Sequence, residues 1–312
     1  AQCPIACKVN RIDLRASDGD NLEVDKREED VSQGTEKTTK TTLTSYRADR
    51  KAEGTDLLAR EEPLEIRIHS GEKLLTAAVT MRTPGNDFEL AAGFLRAEGI
   101  ITSREELLDV SYCLDSENNP NQNFNVVKAV IHPLQELDVE ALQRHFVISS
   151  ACGVCGKASL EALQNREDIA IEGGEKVTTE TLFELPKRLE QAQSVFKSTG
   201  GLHAAALFTR KGDLVEIRED IGRHNAVDKL LGWAIMGGKL PLHNHILLVS
   251  GRASFELLQK CAVAGISIFC SVSAPSSLAV ELAQSFDITL VGFLRGERFN
   301  VYSGGQRVQR IS

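Results

Sequence analysis

The sequence predicts an α/β protein in which a smaller α+β subdomain precedes a larger layered domain. Three observations indicate this class. The C-terminal half alternates short apolar runs with helical patterns, as strands and helices alternate in a layered α/β domain. The N-terminal half contains period-two alternation, which is typical of half-buried strands. At 312 residues, 42% of them hydrophobic, the chain is long and apolar enough for one large domain or two smaller ones.

The N-terminal part is predicted to contain an extension and the small subdomain. Residues 1–42 are polar and charged, which predicts a flexible extension because such a segment buries little apolar surface. In the α+β subdomain, residues 43–147, Asp87 is predicted to cap a helix and Gly99 to end it. Cys113 lies in a predicted strand, where a cysteine is more often core than catalytic. The predicted elements are strands at 64–68 and 74–81, helices at 87–99 and 103–108, strands at 110–114 and 125–131, and a helix at 138–146.

Residues 148–312 are predicted to form the α/β domain. Its first helix lies at 157–163, and a longer one spans 178–196, where Pro186 could introduce a kink. A hairpin follows with strands at 204–209 and 214–218. The remaining chain predicts a mostly parallel sheet covered by helices on both faces, because strand and helix alternate. These strands and helices are expected at 245–249, 253–264, 266–270, 277–285 and 288–292.

Composition excludes several classes of function. The formal net charge of −8 argues against general attraction to nucleic acid. No apolar run approaches the roughly 18 residues that a membrane span needs, and the N-terminus lacks the pattern of a signal peptide. Seven cysteines, an odd number in a long chain, argue against a disulfide scaffold and favour a reducing compartment. We therefore expect a soluble cytoplasmic protein that binds neither nucleic acid nor membranes.

A glycine-punctuated loop, Cys152-Gly153-Val154-Cys155-Gly156, carries the strongest chemical signal. It precedes a predicted helix, whose unpaired amides and dipole stabilise a thiolate, and Lys157 adds a nearby cation. The thiolate is the nucleophilic form of cysteine. At least one of Cys152 and Cys155 is therefore predicted to perform sulfur chemistry.

The predicted strand ends of the α/β domain favour an anionic ligand. Ligands of open α/β sheets bind at the carboxyl ends of the strands, and these ends carry Arg252, Arg295 and Arg298 among small, hydroxylated residues. Ordinary loops of this type also favour serine and glycine, so both interpretations stay open. The polar segment 218–229 likewise suits either a solvated helix start or ligand contacts, and His203 is a further candidate. Neither a dinucleotide fingerprint nor a P-loop is present.

Several motifs in the same order resemble one known family. The motifs are Glu61-Glu62-Pro63-Leu64-Glu65-Ile66, Arg82-Thr83-Pro84-Gly85, Glu89-Leu90-Ala91-Ala92-Gly93-Phe94-Leu95, Cys152-Gly153-Val154-Cys155-Gly156, Thr199-Gly200-Gly201-Leu202-His203-Ala204-Ala205, Asp220 to Lys229, Ser250-Gly251-Arg252, Ser273-Ala274-Pro275 and Phe293 to Arg298. By these motifs the chain is similar, from about residue 43 to the C-terminus, to the formate dehydrogenase accessory protein family, FdhD.

The resemblance implies a sulfur carrier protein, a sulfurtransferase that acts through a cysteine persulfide. Such proteins take sulfur from a cysteine desulfurase and pass it to the molybdenum cofactor, bis-molybdopterin guanine dinucleotide, before its insertion into formate dehydrogenase. By position, Cys152 would carry the persulfide and Cys155 would be its partner. The residues implied in cofactor binding are Phe293, Leu294, Arg295, Gly296, Glu297 and Arg298.

The resemblance also implies a three-layer, cytidine-deaminase-like C-terminal domain and a homodimer. Deamination itself is not expected. A deaminase needs a glutamate two residues after its histidine ligand, and the sequence at that place reads His203-Ala204-Ala205.

Three alternatives stay open at this stage. Cys152 and Cys155 could share a structural zinc with Cys3 and Cys7, since such a site needs four ligands. The loop could also belong to a thioredoxin-like disulfide reductase. Finally, the chain could be a cofactor-binding chaperone for formate dehydrogenase that transfers no sulfur.

Overall fold

A computed structural model of the chain describes residues 11–13, 36–113, 124–133 and 156–310. Of residues 11–13 and 156–159 it describes the backbone alone. Four sheets are present in this part of the chain, with five, six, two and two strands. The two larger sheets form the two halves of the molecule. No helix among the described residues has the length and apolarity that crossing a membrane requires.

The chain begins with a short strand and a hairpin. Strand β1 (Arg11–Asp13) pairs with a strand of the five-stranded sheet, although it lies in the segment for which the sequence predicts a flexible extension. Strands β2 (Thr38–Arg47) and β3 (Arg50–Ala59) form a two-stranded antiparallel ribbon, largely exposed on both faces. The predicted division of the chain at residues 42 and 147 stays a prediction.

The five-stranded sheet and one helix form the first core. In spatial order the strands are β1–β6–β7–β4–β5, and helix α1 (Asp87–Ala97) packs on one face. Apolar residues alternate with polar ones along β4, so that Leu64, Ile66 and Ile68 are almost fully buried in this core. The four longer strands are β4 (Glu62–Ser70), β5 (Lys73–Arg82), β6 (Leu107–Tyr112) and β7 (Val126–Ile131).

The six-stranded sheet lies between two layers of helices. Its order is β10–β9–β11–β12–β13–β14. The strands are β9 (His203–Thr209), β10 (Leu214–Asp220), β11 (His245–Val249), β12 (Ile268–Ser271), β13 (Thr289–Arg295) and β14 (Arg298–Ser303). The helices are α2 (Gly156–Gln164), α3 (Thr179–Ala192), α4 (Ser194–Thr199), α5 (Arg223–Met236), α6 (Phe255–Val263) and α7 (Ser277–Ser285). A further two-stranded sheet pairs β8 (Val177–Thr178) with β15 (Val308–Gln309).

Alternation along the central strands fills both faces of this sheet. On β11, Leu247 packs with residues of α5, α6 and α7, whereas Ile246 and Leu248 pack with residues of α3. All three side chains are at most 1% exposed. Strands that are buried on both faces read as continuous apolar runs, which is why the sequence predicts them correctly.

Several sequence predictions are wrong in detail. Strands β11, β12 and β13 are parallel as predicted, but the whole sheet is mixed, because β9 and β14 run antiparallel to their neighbours β11 and β13. The predicted helix at 103–108 is a single turn of 3₁₀ helix, Arg104–Glu106, followed by β6. The helix predicted at 178–196 is interrupted at Gln193, and Pro186 lies inside α3. The cap of α1 is Asn86, with φ of 60°. The helix predicted at 138–146 lies outside the described residues.

Helices α1 and α5 join the two halves through an unusually close crossing. A Cβ atom added to Gly93 of α1 would lie 1.8 Å from the Asp228 carbonyl oxygen. A Cβ added to Gly232 of α5 would lie 1.8 Å from the Glu89 carbonyl oxygen. Because real Cβ atoms do not approach backbone so closely, only glycine at both positions permits this crossing.

Candidate functional site

The loops at the carboxyl ends of β11, β12 and β13 form one continuous edge. The Ser271 hydroxyl donates to the Gly251 carbonyl oxygen at 2.7 Å and accepts from the Ser273 amide at 3.1 Å. The Phe293 amide in turn donates to the Ser273 carbonyl oxygen at 3.0 Å. These bonds link loops from three neighbouring strands, so the edge is held by the fold. This is the place where open α/β sheets bind ligands.

The segment 293–298 connects β13 to β14 at this edge: residues 293–295 end β13, Gly296 and Glu297 form the turn, and Arg298 begins β14. Phe293 and Gly296 both adopt the left-handed backbone region, with φ of 55° and 53°. The Arg295 guanidinium is tied back through Nε to the Val272 carbonyl oxygen at 2.8 Å. Arg295, Gly296, Glu297 and Arg298 are exposed, whereas Leu294 is fully buried in the core. A ligand could therefore touch the exposed members directly, and Leu294 only through its backbone.

Glycine is required at position 292, in β13 just before Phe293. A Cβ atom on Gly292 would lie 2.9 Å from the Tyr302 ring and 3.0 Å from the Pro275 ring. The main chain thus passes closely between two rings just before Phe293. The polar turn with its two arginines is consequently held against the loop after β12.

A cluster of two histidines and an arginine occupies the other end of the same edge. A Cβ atom on Gly251 would lie 3.5 Å from both His203 Nδ1 and Arg223 Cδ, so these two side chains flank this glycine. His224 Nε2 lies 2.7 Å from Glu256 Oε2 and 3.3 Å from the Ser254 hydroxyl. Burial lowers the pKa of His203, and the neighbouring charges of Arg223 and His224 lower it further. A neutral imidazole therefore lies beside a permanent cation.

The sequence of segment 218–229 left open a helix start or ligand contacts, and the structure places residues suited to each in this segment. Asp220 and Lys229 form a buried ion pair, with Oδ2 2.7 Å from Nζ and at most 1% of either side chain exposed. Asn225 donates to the Met81 carbonyl oxygen at 2.8 Å and is also buried. Arg223 and His224, by contrast, are partly exposed at the carboxyl edge. Buried structural residues and partly exposed candidate ligand residues thus lie close together at the start of one helix.

The motif Arg82-Thr83-Pro84-Gly85 is the partner of this helix start. The Thr83 amide donates to Asp220 at 3.1 Å, and the Thr83 carbonyl oxygen accepts from Lys229 Nζ at 2.8 Å. Arg82, fully buried, pairs with Asp87 at 2.8 Å between Nη2 and Oδ2. Sequence reasoning assigned no role to this motif. A contact between residues 137 positions apart leaves no local pattern in the sequence. The only available signal was that each motif carries charged residues, which are rarely buried unless they are paired.

The predicted nucleophiles lie outside the described residues. Cys152 and Cys155 immediately precede α2, and the helix predicted after them is confirmed from Gly156 to Gln164. Leu163 is 3% exposed and packs in the same core as α5, α6 and α7. Cys3 and Cys7, the other proposed zinc ligands, also lie outside. Within the described ranges, no three histidine, cysteine or acidic side chains are grouped to hold a metal.

The three described cysteines are all buried. Cys113 is in the core of the first half, as predicted from its strand. Cys261 and Cys270 are fully buried, and burial raises the pKa of each thiol far above its usual range. A buried thiol with a raised pKa is a poor nucleophile. Among the described cysteines, therefore, none suits sulfur transfer.

Comparison with known proteins decides the family. The model of the FdhD/NarQ family matches residues 59–309. The chain belongs to the FdhD/NarQ family. The predicted resemblance is thereby confirmed, and the match includes both halves of the molecule.

Curated relatives and one solved structure agree with this family. The chain is 52% identical over 255 residues to a protein of Streptomyces coelicolor named sulfur carrier protein FdhD, covering 81% of this chain and 89% of the relative. A protein of the same name from Mycobacterium tuberculosis is 49% identical over 267 residues, covering 84% and 95%. A crystal structure from Desulfotalea psychrophila, described provisionally as a formate dehydrogenase accessory protein, superposes with a TM-score of 0.66. It covers 87% of this chain and 99% of its own, and at 24% identity its likeness shows the fold alone.

Proposed function

We propose that this chain is a sulfur carrier in the maturation of formate dehydrogenase. It would receive sulfur from a cysteine desulfurase as a persulfide and pass it to bis-molybdopterin guanine dinucleotide, its substrate, before that cofactor enters formate dehydrogenase. The observation that carries the proposal is the 52% identity, over most of the chain, to a protein named as a sulfur carrier. The chain would accordingly act as a carrier-type sulfurtransferase.

Cys152 is proposed to carry the sulfur. The pair Cys152 and Cys155 directly precedes the start of α2, where the helix dipole and unpaired amides favour a thiolate. The buried cysteines of the two cores offer no accessible thiol in their place. Both considerations support the loop as the place of sulfur transfer.

The loading step is a displacement at sulfur. The Cys152 thiolate attacks the terminal sulfur of the desulfurase persulfide, a bond forms between the two sulfurs, and the desulfurase thiolate leaves. No oxidant is consumed. For delivery, the Cys155 thiolate can attack the inner sulfur of the Cys152 persulfide, which forms a disulfide and releases hydrosulfide to the cofactor. A dithiol reductant would then restore both thiols.

The cofactor is proposed to dock at Phe293, Leu294, Arg295, Gly296, Glu297 and Arg298. The support lies in the exposed arginines of this turn and in the bonds that fix it to the neighbouring strand-end loops. Arginine binds phosphate oxygens through paired, charge-assisted hydrogen bonds. A guanine dinucleotide offers such oxygens in its pyrophosphate.

The family resemblance supports three further parts of the proposal. They are the cytoplasm as the place of action, a homodimeric state, and a C-terminal domain layered like that of cytidine deaminases. Helices on both faces of the six-stranded sheet are compatible with that layering.

Two variants test the two halves of the proposal separately. Incubation with a desulfurase and cysteine should add the mass of one sulfur atom to the wild type and to Arg298→Ala, but not to Cys152→Ala. GDP, which carries the guanosine and a pyrophosphate group, should bind Arg298→Ala about tenfold more weakly, since one charge-assisted contact is lost. Its affinity for Cys152→Ala should equal that for the wild type. A cofactor that becomes fully sulfurated in the presence of Cys152→Ala would instead favour a cofactor-binding chaperone that transfers no sulfur.

A further inference from the structure

One guanidinium nitrogen at the carboxyl edge has no acceptor in the part of the chain that the structure describes. It is the Nε atom of Arg223, which is buried. Buried donors of native proteins are nearly always paired, and one that is not calls for an explanation. Arg223 is the first residue of α5, and its Cδ lies beside Gly251. The unpaired donor therefore belongs to a side chain at the end of the sheet where ligands bind.

Asp220, the carboxylate closest to Arg223 in the sequence, is already saturated. Asp220 accepts from Lys229 Nζ at 2.7 Å, from the Thr83 amide at 3.1 Å, from the Gly222 amide at 2.8 Å and from Asn225 Nδ2 at 3.1 Å. Four donors on two carboxylate oxygens leave it no capacity to pair with Arg223 as well. The charge of Arg223 is thus not matched by the acidic residue closest to it in sequence.

The second histidine has its own partner. His224 lies against Glu256, so its ring is oriented toward α6 by a contact of 2.7 Å. Among the described residues no carboxylate pairs with His203 in this way, and its Nδ1 lies beside the same glycine as the Arg223 side chain. A neutral imidazole can donate one hydrogen bond, and arginine can donate several. His203 Nδ1 and Cδ of the Arg223 side chain thus both lie beside Gly251, which has no side chain of its own.

We propose that His203 and Arg223 bind a phosphate group of an extended anionic ligand whose other end contacts Phe293 to Arg298. This assignment deepens the proposed function, since it names a second contact region for the same cofactor. The two regions lie on one edge, joined through Gly251, Ser271 and Ser273. Strands β9, β11, β12 and β13 are consecutive neighbours, and three spacings of this kind span about 14 Å. A ligand that reaches both regions must extend over about this length.

Calorimetry with GDP tests the subsite. Arg223→Gln should weaken GDP binding about tenfold or more, the loss expected for a charge-assisted hydrogen bond. Arg223→Lys, which keeps the charge, should restore part of the affinity. Arg50→Gln removes an equal charge at an exposed position of the β2–β3 ribbon and should leave the affinity unchanged. Guanosine, which has no phosphate, should bind Arg223→Gln as well as it binds the wild type.

A second experiment measures the pKa of the His203 imidazole. Bound phosphate should raise the pKa of His203, because an anion favours the charged ring and opposes the effect of burial, Arg223 and His224. The other charged groups around the ring are Asp220 on β10 and Glu256, which pairs with His224. NMR titration of the ring signal, assigned with His203→Gln, should show this rise with pyrophosphate in the wild type. The rise should be absent in Arg223→Gln.

Several results would overturn the assignment. They are a wild type that does not bind GDP, unchanged GDP affinity in Arg223→Gln, an equal loss for guanosine, or a His203 pKa that pyrophosphate does not move. Loading of Cys152 is measured by mass and does not involve Arg223. Failure of the subsite and failure of the sulfur-carrier proposal are therefore distinguishable.

Discussion

At the scale of single residues, buried charges connect the two halves of the molecule. Lys229 Nζ lies 2.7 Å from Asp220 and 2.8 Å from the Thr83 carbonyl oxygen, with 1% of the side chain exposed. Replacement of both charges by apolar groups can be neutral, but removal of one leaves the other uncompensated in the core. Replacement of either partner alone is therefore expected to destabilise the contact between the two halves.

Lys229→Met should therefore be strongly destabilising. We expect the free energy of unfolding to fall by about 3–5 kcal/mol, the usual effect of breaking a buried pair. Denaturant titration followed by circular dichroism measures it. Lys211→Met, at an exposed position of a turn, is the matched control and should change stability by less than about 0.5 kcal/mol. A loss as small in Lys229→Met as in this control would show that the pair does not hold the joint.

At the scale of secondary-structure elements, the crossing of α1 and α5 positions the carboxyl-edge cluster. Helix α5 begins with Arg223 and His224, and its middle contacts α1 through Gly232. Helix α1 is anchored in the first half by Leu90 and Leu95, which are at most 1% exposed. The first half of the chain thus fixes the helix that presents the proposed phosphate contacts.

Gly232→Ala should disturb this arrangement. A Cβ atom 1.8 Å from the Glu89 carbonyl oxygen must push the helices apart, and we expect a loss of stability of about 1–3 kcal/mol or more. The same variant should weaken GDP binding, because the start of α5 moves. Gly174→Ala is the control, since a Cβ there meets nothing within 4 Å. Thermal unfolding that is unchanged in Gly232→Ala would contradict the close crossing.

At the scale of the whole molecule, periodicity predicted most elements but not their arrangement. The apolar runs of β11, β12 and β13 and the hairpin turn at Gly212 are local signals, and the structure confirms the elements they predict. The direction of β9 relative to β11 is not local. It depends on how the β9–β10 hairpin docks against β11, which places His245 opposite Thr209, 36 residues earlier in the chain. The parallel pairing of β11, β12 and β13 is confirmed, whereas the antiparallel joining of β9 to β11 was not predicted for this reason.

The candidate site likewise has parts that could be predicted from local sequence signals and parts that could not. The arginines of the strand ends could be found from the sequence, because chain order places such loops at one edge of a sheet. The position of His203 beside Gly251 and Arg223 could not, since it depends on the antiparallel approach of β9 to β11. The hydrogen bond from the Thr83 amide, in the first half, to Asp220 was equally invisible in the sequence. It requires the contact between α5 and the segment before α1.

The central claim is that sulfur passes through Cys152 to a cofactor at the carboxyl edge. Its most direct test supplies the desulfurase with radiosulfur-labelled cysteine, then this protein, and finally cofactor-free formate dehydrogenase with the unsulfurated cofactor. We predict that label appears first on the peptide containing Cys152 and then in the cofactor of formate dehydrogenase, and that Cys152→Ala abolishes both signals. Label that reaches the cofactor equally fast with Cys152→Ala would contradict the account.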